Sequence, residues 1–382
     1  MKKIIKSGVI IAICIVAVGV MWTQSHSKES VLEVTKENTS DKTETDEEIV
    51  FPERFEKNVS DTFSIQADVI VPDAFDAQQL YTAEAHIIKP DEEKWKAAFL
   101  NGTDYVESDY EEVSREQKNI VCKGYEKEGD RALYLSEQAA SLYLDKYTYT
   151  SNCLIWDYST SEGYNRDNFS TDENLPFAEK EEVWKSINEK LETLDIPMEN
   201  AFTEKVYALP YQSLQEQELL AVERGDLDRE ETKDIWNEKD DAYFFYIWQN
   251  CQGLPVYPDG YVQEYDVENI PGGIEVCCTE EDFLFLNVSY WMEFEKSAEK
   301  IKLLSLDKIM DTVIEKYGQV INDSPMTLTS CRLFEAPILK EENTYEVVPV
   351  WICKIELEEM SYDMYLPIHA VTGEIVKEME LR

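Results

Sequence analysis

Cysteine is the residue type with the most chemical potential in this chain. There are eight, and seven lie beyond an apolar N-terminal run: Cys122, Cys153, Cys251, Cys277, Cys278, Cys331 and Cys353. Two sulfurs can bridge only where the backbone brings their Cα atoms within about 7 Å, so the spacing has to be read through the strands that carry them. If MTLTSCRLF and EVVPVWICKIEL form an antiparallel hairpin turning at Lys340 to Asn343, Cys331 and Cys353 are equidistant from Glu342 and stand opposite each other. Cys251 and Cys277 are equidistant from Glu264 in the same way and make a second candidate pair. Cys122 with Cys153 is a poorer third, which leaves Cys278 over. The alternative is a set of buried free thiols, the state of cysteine in a compartment that never oxidises it.

Acid–base and metal chemistry are thinly represented. No His-Glu-x-x-His, Gly-x-Ser-x-Gly, glycine-rich phosphate loop or Cys-x-x-Cys occurs. No catalytic, cofactor-binding or metal-ligating residue is therefore assigned, and no cofactor is expected. The three histidines are His26 in a polar stretch, His86 in an alternating strand pattern and His369 beside Ile368 and Ala370. A strand histidine outside any motif is ordinarily structural. Asp226, Asp228 and Glu230 have the alternate spacing of a calcium loop, but Glu231 stands where its glycine turn belongs and Asn237 replaces the closing glutamate. A charged helical surface is the better reading there.

Aromatic residues offer a different chemistry, stacking against a sugar or a peptide. The run Tyr243-Phe244-Phe245-Tyr246-Ile247-Trp248 is apolar at every position, the pattern of a strand covered on both faces. Trp248 and the nearby Trp291 are the candidate stacking residues, against the alternative that both are core.

Charge narrows the partners. The chain has 382 residues, 36 Lys plus Arg against 79 Asp plus Glu, and a formal net charge of −43. Such a surface repels phosphate backbones and anionic headgroups, which excludes nucleic acid and a polybasic membrane face. With 43% hydrophobic and 12% aromatic residues the chain can still build cores.

The elements that must position these residues begin with the address. Gly8 to Trp22 is an unbroken apolar run behind Lys2, Lys3 and Lys6, close to the length needed to cross a bilayer, and no Ala-x-Ala site follows it. An uncleaved single-pass signal anchor is expected over 1–22, with the rest of the chain extracytoplasmic, or secreted if the segment is cleaved. A polar linker of disordered composition follows over 23–50.

Beyond it the pattern predicts an α+β fold: antiparallel sheets with helices packed on one face. Phe63, Ile65, Ala67 and Val69 alternate, as do Tyr81, Ala83, Ala85 and Ile87. Pro90 and three acids then open a helix that runs to Gly102. Residues 51–176 read as a β-rich domain, although SEQAASLYL fits strand and helix equally. Over 177–300 a helix carrying Val183, Trp184, Ile187, Leu191 and Leu194 precedes strands, and over 301–382 a helix from Leu306 to Tyr317 does the same. The order of elements raises the prospect of two tandem helix-plus-sheet units.

The last unit, with its LLSLDKIMDTVIEKYG helix, VVPVWICKIEL strand and closing YLPIHAVTGEIV, resembles the end of PepSY-like domains and the YycH/YycI type of membrane-anchored regulators of a cell-wall sensor kinase. FSIQADVIVP, YIWQNCQGLPVYP and LLSLDKIM resemble a family of clostridial extracytoplasmic surface proteins of unknown function. The resemblance implies a helix on an antiparallel sheet and a regulatory or interaction role in a Gram-positive bacterium; it brings no catalytic residues. The expected function is a non-enzymatic, membrane-anchored interaction module. Its partner would be another membrane or cell-wall protein, with a glycan as the alternative and a carboxylate-paired hydrolase as a further one.

Overall fold

The computed structural model describes residues 50–376, apart from 102–103, 114–118, 155–164, 258–272, 321–323, 342 and 359–362. The expected membrane anchor and all of the linker but its last residue lie outside the described residues. Among those described, no helix is long and apolar enough to cross a membrane.

In chain order the first elements are β1 (Arg54–Asn58), β2 (Phe63–Ile70), β3 (Tyr81–Ile87), α1 (Glu92–Phe99), β4 (Val106–Val113), β5 (Asn119–Lys127), β6 (Arg131–Leu135), β7 (Ala139–Leu144) and α2 (Tyr147–Asn152). Next come α3 (Lys180–Thr193), β8 (Ala201–Leu209), α4 (Tyr211–Arg224), β9 (Ala242–Cys251), β10 (Leu254–Pro255), β11 (Ile274–Cys278) and β12 (Phe283–Ser289). The chain closes with β13 (Met292–Lys300), α5 (Leu306–Tyr317), β14 (Met326–Glu341), β15 (Thr344–Leu357) and β16 (Met364–His369). The fold is α+β, with two largely antiparallel sheets and few helices.

The local signals act as expected. Asp91 caps α1, its carboxylate accepting the Lys94 N–H at 3.0 Å, and Glu92 and Glu93 stand at the positive end of that helix. Helix α5 buries Leu306, Ile309, Met310 and Val313 on one stripe. The ambiguous SEQAASLYL resolves as strand β7, because Ala140, Leu142 and Leu144 alternate into the core. Helix α4 is an element that the sequence reading did not anticipate, since its inward face carries polar Gln217 and Glu218 beside Leu214 and Ala221.

Two expectations are corrected. Helices do not keep to one face of the larger sheet, β10-β9-β11-β12-β7-β6-β5-β4 with β8 paired to β9. Trp95 and Phe99 of α1 and Ile187 and Leu191 of α3 pack with Tyr243, Phe245 and Ile247, whereas Leu214 of α4 packs with Phe244 and Tyr246 on the opposite face. Nor are the sheets confined to the segments 51–176, 177–300 and 301–382. The smaller sheet, β1-β2-β14-β15-β3-β13 with β16 on β15, takes strands from all three. β2 runs parallel to β14, and the two strands together line the core that α5 covers, so residues more than 250 positions apart share one hydrophobic cluster.

The two sheets are stitched together by amide side chains. Gln249 of β9 accepts the Met292 N–H at 2.9 Å and donates to the Met292 carbonyl at 2.7 Å. Gln252 makes the same double contact with Tyr81 across the sheets, at 3.0 and 2.7 Å, and within the smaller sheet Asn343 of the β14–β15 turn makes it with Ile87 of β3, at 3.0 and 3.2 Å. Each amide replaces a neighbouring strand for one residue of β3 or β13, so the peptide groups at the seam stay paired. Gln252 and Gly253 form the two-residue turn between β9 and β10, both with positive φ (54° and 90°), as such hairpins require. A side chain at position 253 would also meet the Phe75 Cα at 3.2 Å.

Gln249→Ala leaves both polar groups of Met292 buried and unpaired, and is expected to cost about 2–4 kcal/mol in denaturant unfolding. A loss below about 0.5 kcal/mol, the range of a neutral surface change, would show that the amide adds nothing to the seam.

Candidate functional site

The sequence-derived candidates separate sharply in the fold. Cys331 and Cys353 are directly opposite on β14 and β15, both fully buried, with their sulfurs 3.1 Å apart. Burial and the neighbouring sulfur raise the Cys331 thiol well above its ordinary pKa. Cys251 and Cys277 are not partners: Cys277 faces Phe244, at the other end of the strand that closes with Cys251. The symmetry about Glu264 fails because the chain after Cys251 turns back at once into β10, and β11 meets β9 in a register set by Ile274 opposite Ile247. Cys277 and Cys278 point to opposite faces, each among apolar neighbours. Cys153 packs against the α4 side of the larger sheet, and Cys122 lies opposite Tyr110 on β5.

The tryptophans are core residues. Trp248 and Trp291 are each 1% exposed. Trp291 donates from its indole to the Pro197 carbonyl at 2.9 Å, and Trp248 lies between Phe202 and Phe334 with the Arg332 guanidinium 5.5 Å above it. Neither offers a ring face to a ligand, which corrects the stacking assignment. The two described histidines have structural contacts as well. The His86 Nδ1 lies 2.8 Å from the Asn343 carbonyl. Burial pulls the His369 pKa down, and its Nδ1 accepts the Val371 N–H at 3.1 Å.

Among the acids, three described carboxyls are buried: Glu218, Asp241 and Glu335. Two have structural work. Glu218 accepts from the Lys233 N–H and the Trp236 indole, both at 2.9 Å, and Asp241 accepts the first N–H of α4, on Tyr211, at 2.8 Å. Nearer the surface, Glu92 accepts from Lys123 at 2.8 Å and the Tyr125 hydroxyl at 2.5 Å, and these bonds hold its carboxyl down at about 2.

Glu335 is the exception, and no sequence signal marks it. It is fully buried on β14, and neither carboxyl oxygen has a hydrogen-bond partner. Its peptide carbonyl accepts the Tyr257 N–H at 2.8 Å, where the chain leaving β10 takes over from β2 as the neighbour of β14. Burial drives its carboxyl well above the ordinary range, and burial together with the nearby Glu335 raises the Cys251 thiol. Trp351, whose indole N–H is also buried without a partner, stands on the facing strand two residues beyond Pro349, the residue opposite Glu335. A cavity of about 20 Å³, lined in part by Gln249, Val256, Tyr257, Trp291 and Pro337, opens at this junction. That is room for roughly one water molecule, far below the volume of a small-molecule pocket. A lone neutral carboxylic acid with no facing base cannot run two-carboxylate hydrolysis.

The larger sheet has an open surface of another kind. Strand β4 is its edge, pairing with β5 alone among the described residues. Its sequence, VESDYEEV, holds four acids and no base, and Glu107, Asp109 and Glu111 lie exposed on one face. Val106 beside them is 73% exposed. The edge strands β1 and β13 of the other sheet carry both signs of charge. Behind β4 runs a ladder of rings, Tyr110 to Tyr134 at 6.0 Å, Tyr134 to Tyr143 at 6.0 Å and Tyr143 to Phe285 at 5.1 Å. Gly124 makes room for it, since a side chain there would meet the Tyr134 ring at 3.3 Å.

No protein-family model matches the chain, and no curated protein does. Among solved structures, an uncharacterised protein from Eubacterium rectale superposes with a TM-score of 0.57 at 16% identity, over 87% of this chain and 96% of its own. The two share a fold. The Bacillus megaterium YpeB C-terminal domain aligns over 76% of this chain and 97% of its own, with a TM-score of 0.28 and 8% identity, a level from which no shared fold follows.

Because the folded Glu335 carboxyl titrates above its unfolded value of about 4.3, its neutral form contributes fully below that pH, and the contribution is lost as pH rises through the folded value. Glu335→Gln is expected to remove this decline, so that the variant gains on the wild type between pH 5 and pH 8 in chemical unfolding. Parallel pH profiles for the two proteins would refute the assignment.

Proposed function

We propose that this chain is a non-enzymatic, membrane-anchored extracytoplasmic interaction module that takes a basic, extended segment of a partner protein along the edge of its larger sheet. The observation that carries the reading is β4. An edge strand presents unpaired N–H and C=O groups that another strand can complete, and here they lie beside three exposed carboxylates and an exposed valine. Charge complementarity gives such a site its selectivity and its rate of encounter. The apolar run behind Lys2, Lys3 and Lys6 supports the anchor, and the resemblance of the last helix and strands to PepSY-like and YycH/YycI domains supports a regulatory setting.

One observation favours a second reading, a glycan or cell-wall ligand: the half-buried rings of Tyr110, Tyr134 and Tyr143 form a continuous aromatic face beside the same edge. Stacking of sugar rings on such a face needs no charge.

A photoreactive residue at Ser108, exposed on β4, in the full-length protein in its native membrane separates the two. The partner reading expects a discrete protein adduct through a Lys- or Arg-rich segment, lost at least tenfold in the pair Asp109→Lys and Glu111→Lys. Adducts with wall glycan that survive the charge reversal would transfer the assignment to the aromatic face, and no adduct at all would overturn both.

A further inference from the structure

We propose that Cys331 and Cys353 form a cross-strand disulfide that is closed during folding and is inert afterwards, while the other described cysteines stay reduced. The geometry is local and specific. The two residues are register partners on β14 and β15, where opposite Cα atoms of an antiparallel pair lie about 4.5–5.5 Å apart, inside the range that a disulfide spans. Their sulfurs already touch at 3.1 Å. No backbone movement is needed to join them.

Their surroundings decide when the bond can form. β14 is flanked there by β2, with Cys331 opposite Val69, and β15 by β16, with Cys353 opposite Leu366. Ile309, Met310 and Val313 of α5 belong to the same core, and both cysteines are fully buried. A soluble oxidant or reductant therefore reaches them only before these elements close or after they open. Oxidation is an exchange with an external disulfide, a thiol–disulfide oxidoreductase or a small-molecule disulfide. One cysteine thiolate attacks it, forming a mixed disulfide and releasing one oxidant sulfur as a thiolate. The second cysteine thiolate then displaces the other oxidant sulfur. The protein loses two electrons and two protons, and the oxidant ends as two thiols. The remaining buried cysteines lack this arrangement: Cys251 and Cys277 sit far apart on the β9–β11 ladder, and Cys277 and Cys278 face opposite sides.

The test uses the full-length chain, unfolded with excess reductant and refolded in a glutathione redox buffer. The folded fraction is quenched in acid, unfolded and alkylated. Of its eight cysteines, six are expected to be alkylated without reductant and all eight after reduction. Trypsin cleaves after Lys316, Arg332, Lys340 and Lys354, so the bond joins the peptides 317–332 and 341–354. Cys353→Ala should abolish that linked species and lower the thermal midpoint by roughly 5–10 °C relative to the oxidised protein, whereas Cys251→Ala leaves the linkage intact. Native oxidised protein held in dilute thiol should keep the bond until it is unfolded. Eight alkylations without reductant, a linkage joining any other two cysteines, or rapid reduction of the folded protein would each overturn the proposal.

Discussion

Ten consecutive residues, Ala242–Cys251, hold nine buried side chains, so almost every peptide group between them has to find a partner inside the protein. That constraint organises the molecule. β9 is paired along both sides, by β8 and β11, and its last residues turn back through Gln252 and Gly253 into β10. The same turn delivers Val256 and Tyr257 to β14, filling the place that β2 vacates after Ile70. The seam between the sheets follows from a strand that cannot end in water. Its amide clamps are the cheapest way to finish a ladder where no further strand fits.

Charge is distributed in the complementary way. Nearly all described carboxylates stay at the surface, where water and scattered lysines stabilise them, and ion pairs such as Arg54 with Asp68 contribute little to the fold. The three buried acids show the two outcomes of desolvation. Glu218 and Asp241 are met by N–H donors and fix the loops around α4. Glu335 meets none and has to remain neutral. An acid held in that state is a tolerance at the junction of two sheets.

Local pattern made several parts of this arrangement legible. The strands at Phe63–Ile70 and Tyr81–Ile87, the α5 stripe and the doubly covered β9 are read from periodicity, because one residue period corresponds to one buried face. The facing of Cys331 and Cys353 was legible because a short symmetric hairpin makes distance along the chain equivalent to register. The same arithmetic fails at Cys251, where an unanticipated two-residue turn diverts the chain. Sequence pattern also misses what arises from long-range pairing. The sheet that joins β2 to β14, the burial of Glu335 within RLFEAPIL, and the polar inner face of α4 all depend on residues far away. Trp248 and Trp291 illustrate the limit from the other side, since an aromatic type alone does not say which face it will occupy.

The parallel pairing of β2 with β14 also sets a timetable. A chain made from its N-terminus exposes Phe63, Ile65 and Ala67 long before Met326, Leu328 and Cys331 exist to cover them. At ribosomal speeds of about 5–20 residues per second, the gap lasts on the order of 10–50 s. During that interval β1 is, among the described strands, the one native neighbour of β2 already made, a two-stranded ribbon that is marginal in water. The acids distributed through the first half of the chain keep the nascent segment apart from its copies while it waits. The strands from Met326 onward complete the smaller sheet, and their arrival is the event that commits the molecule to its fold.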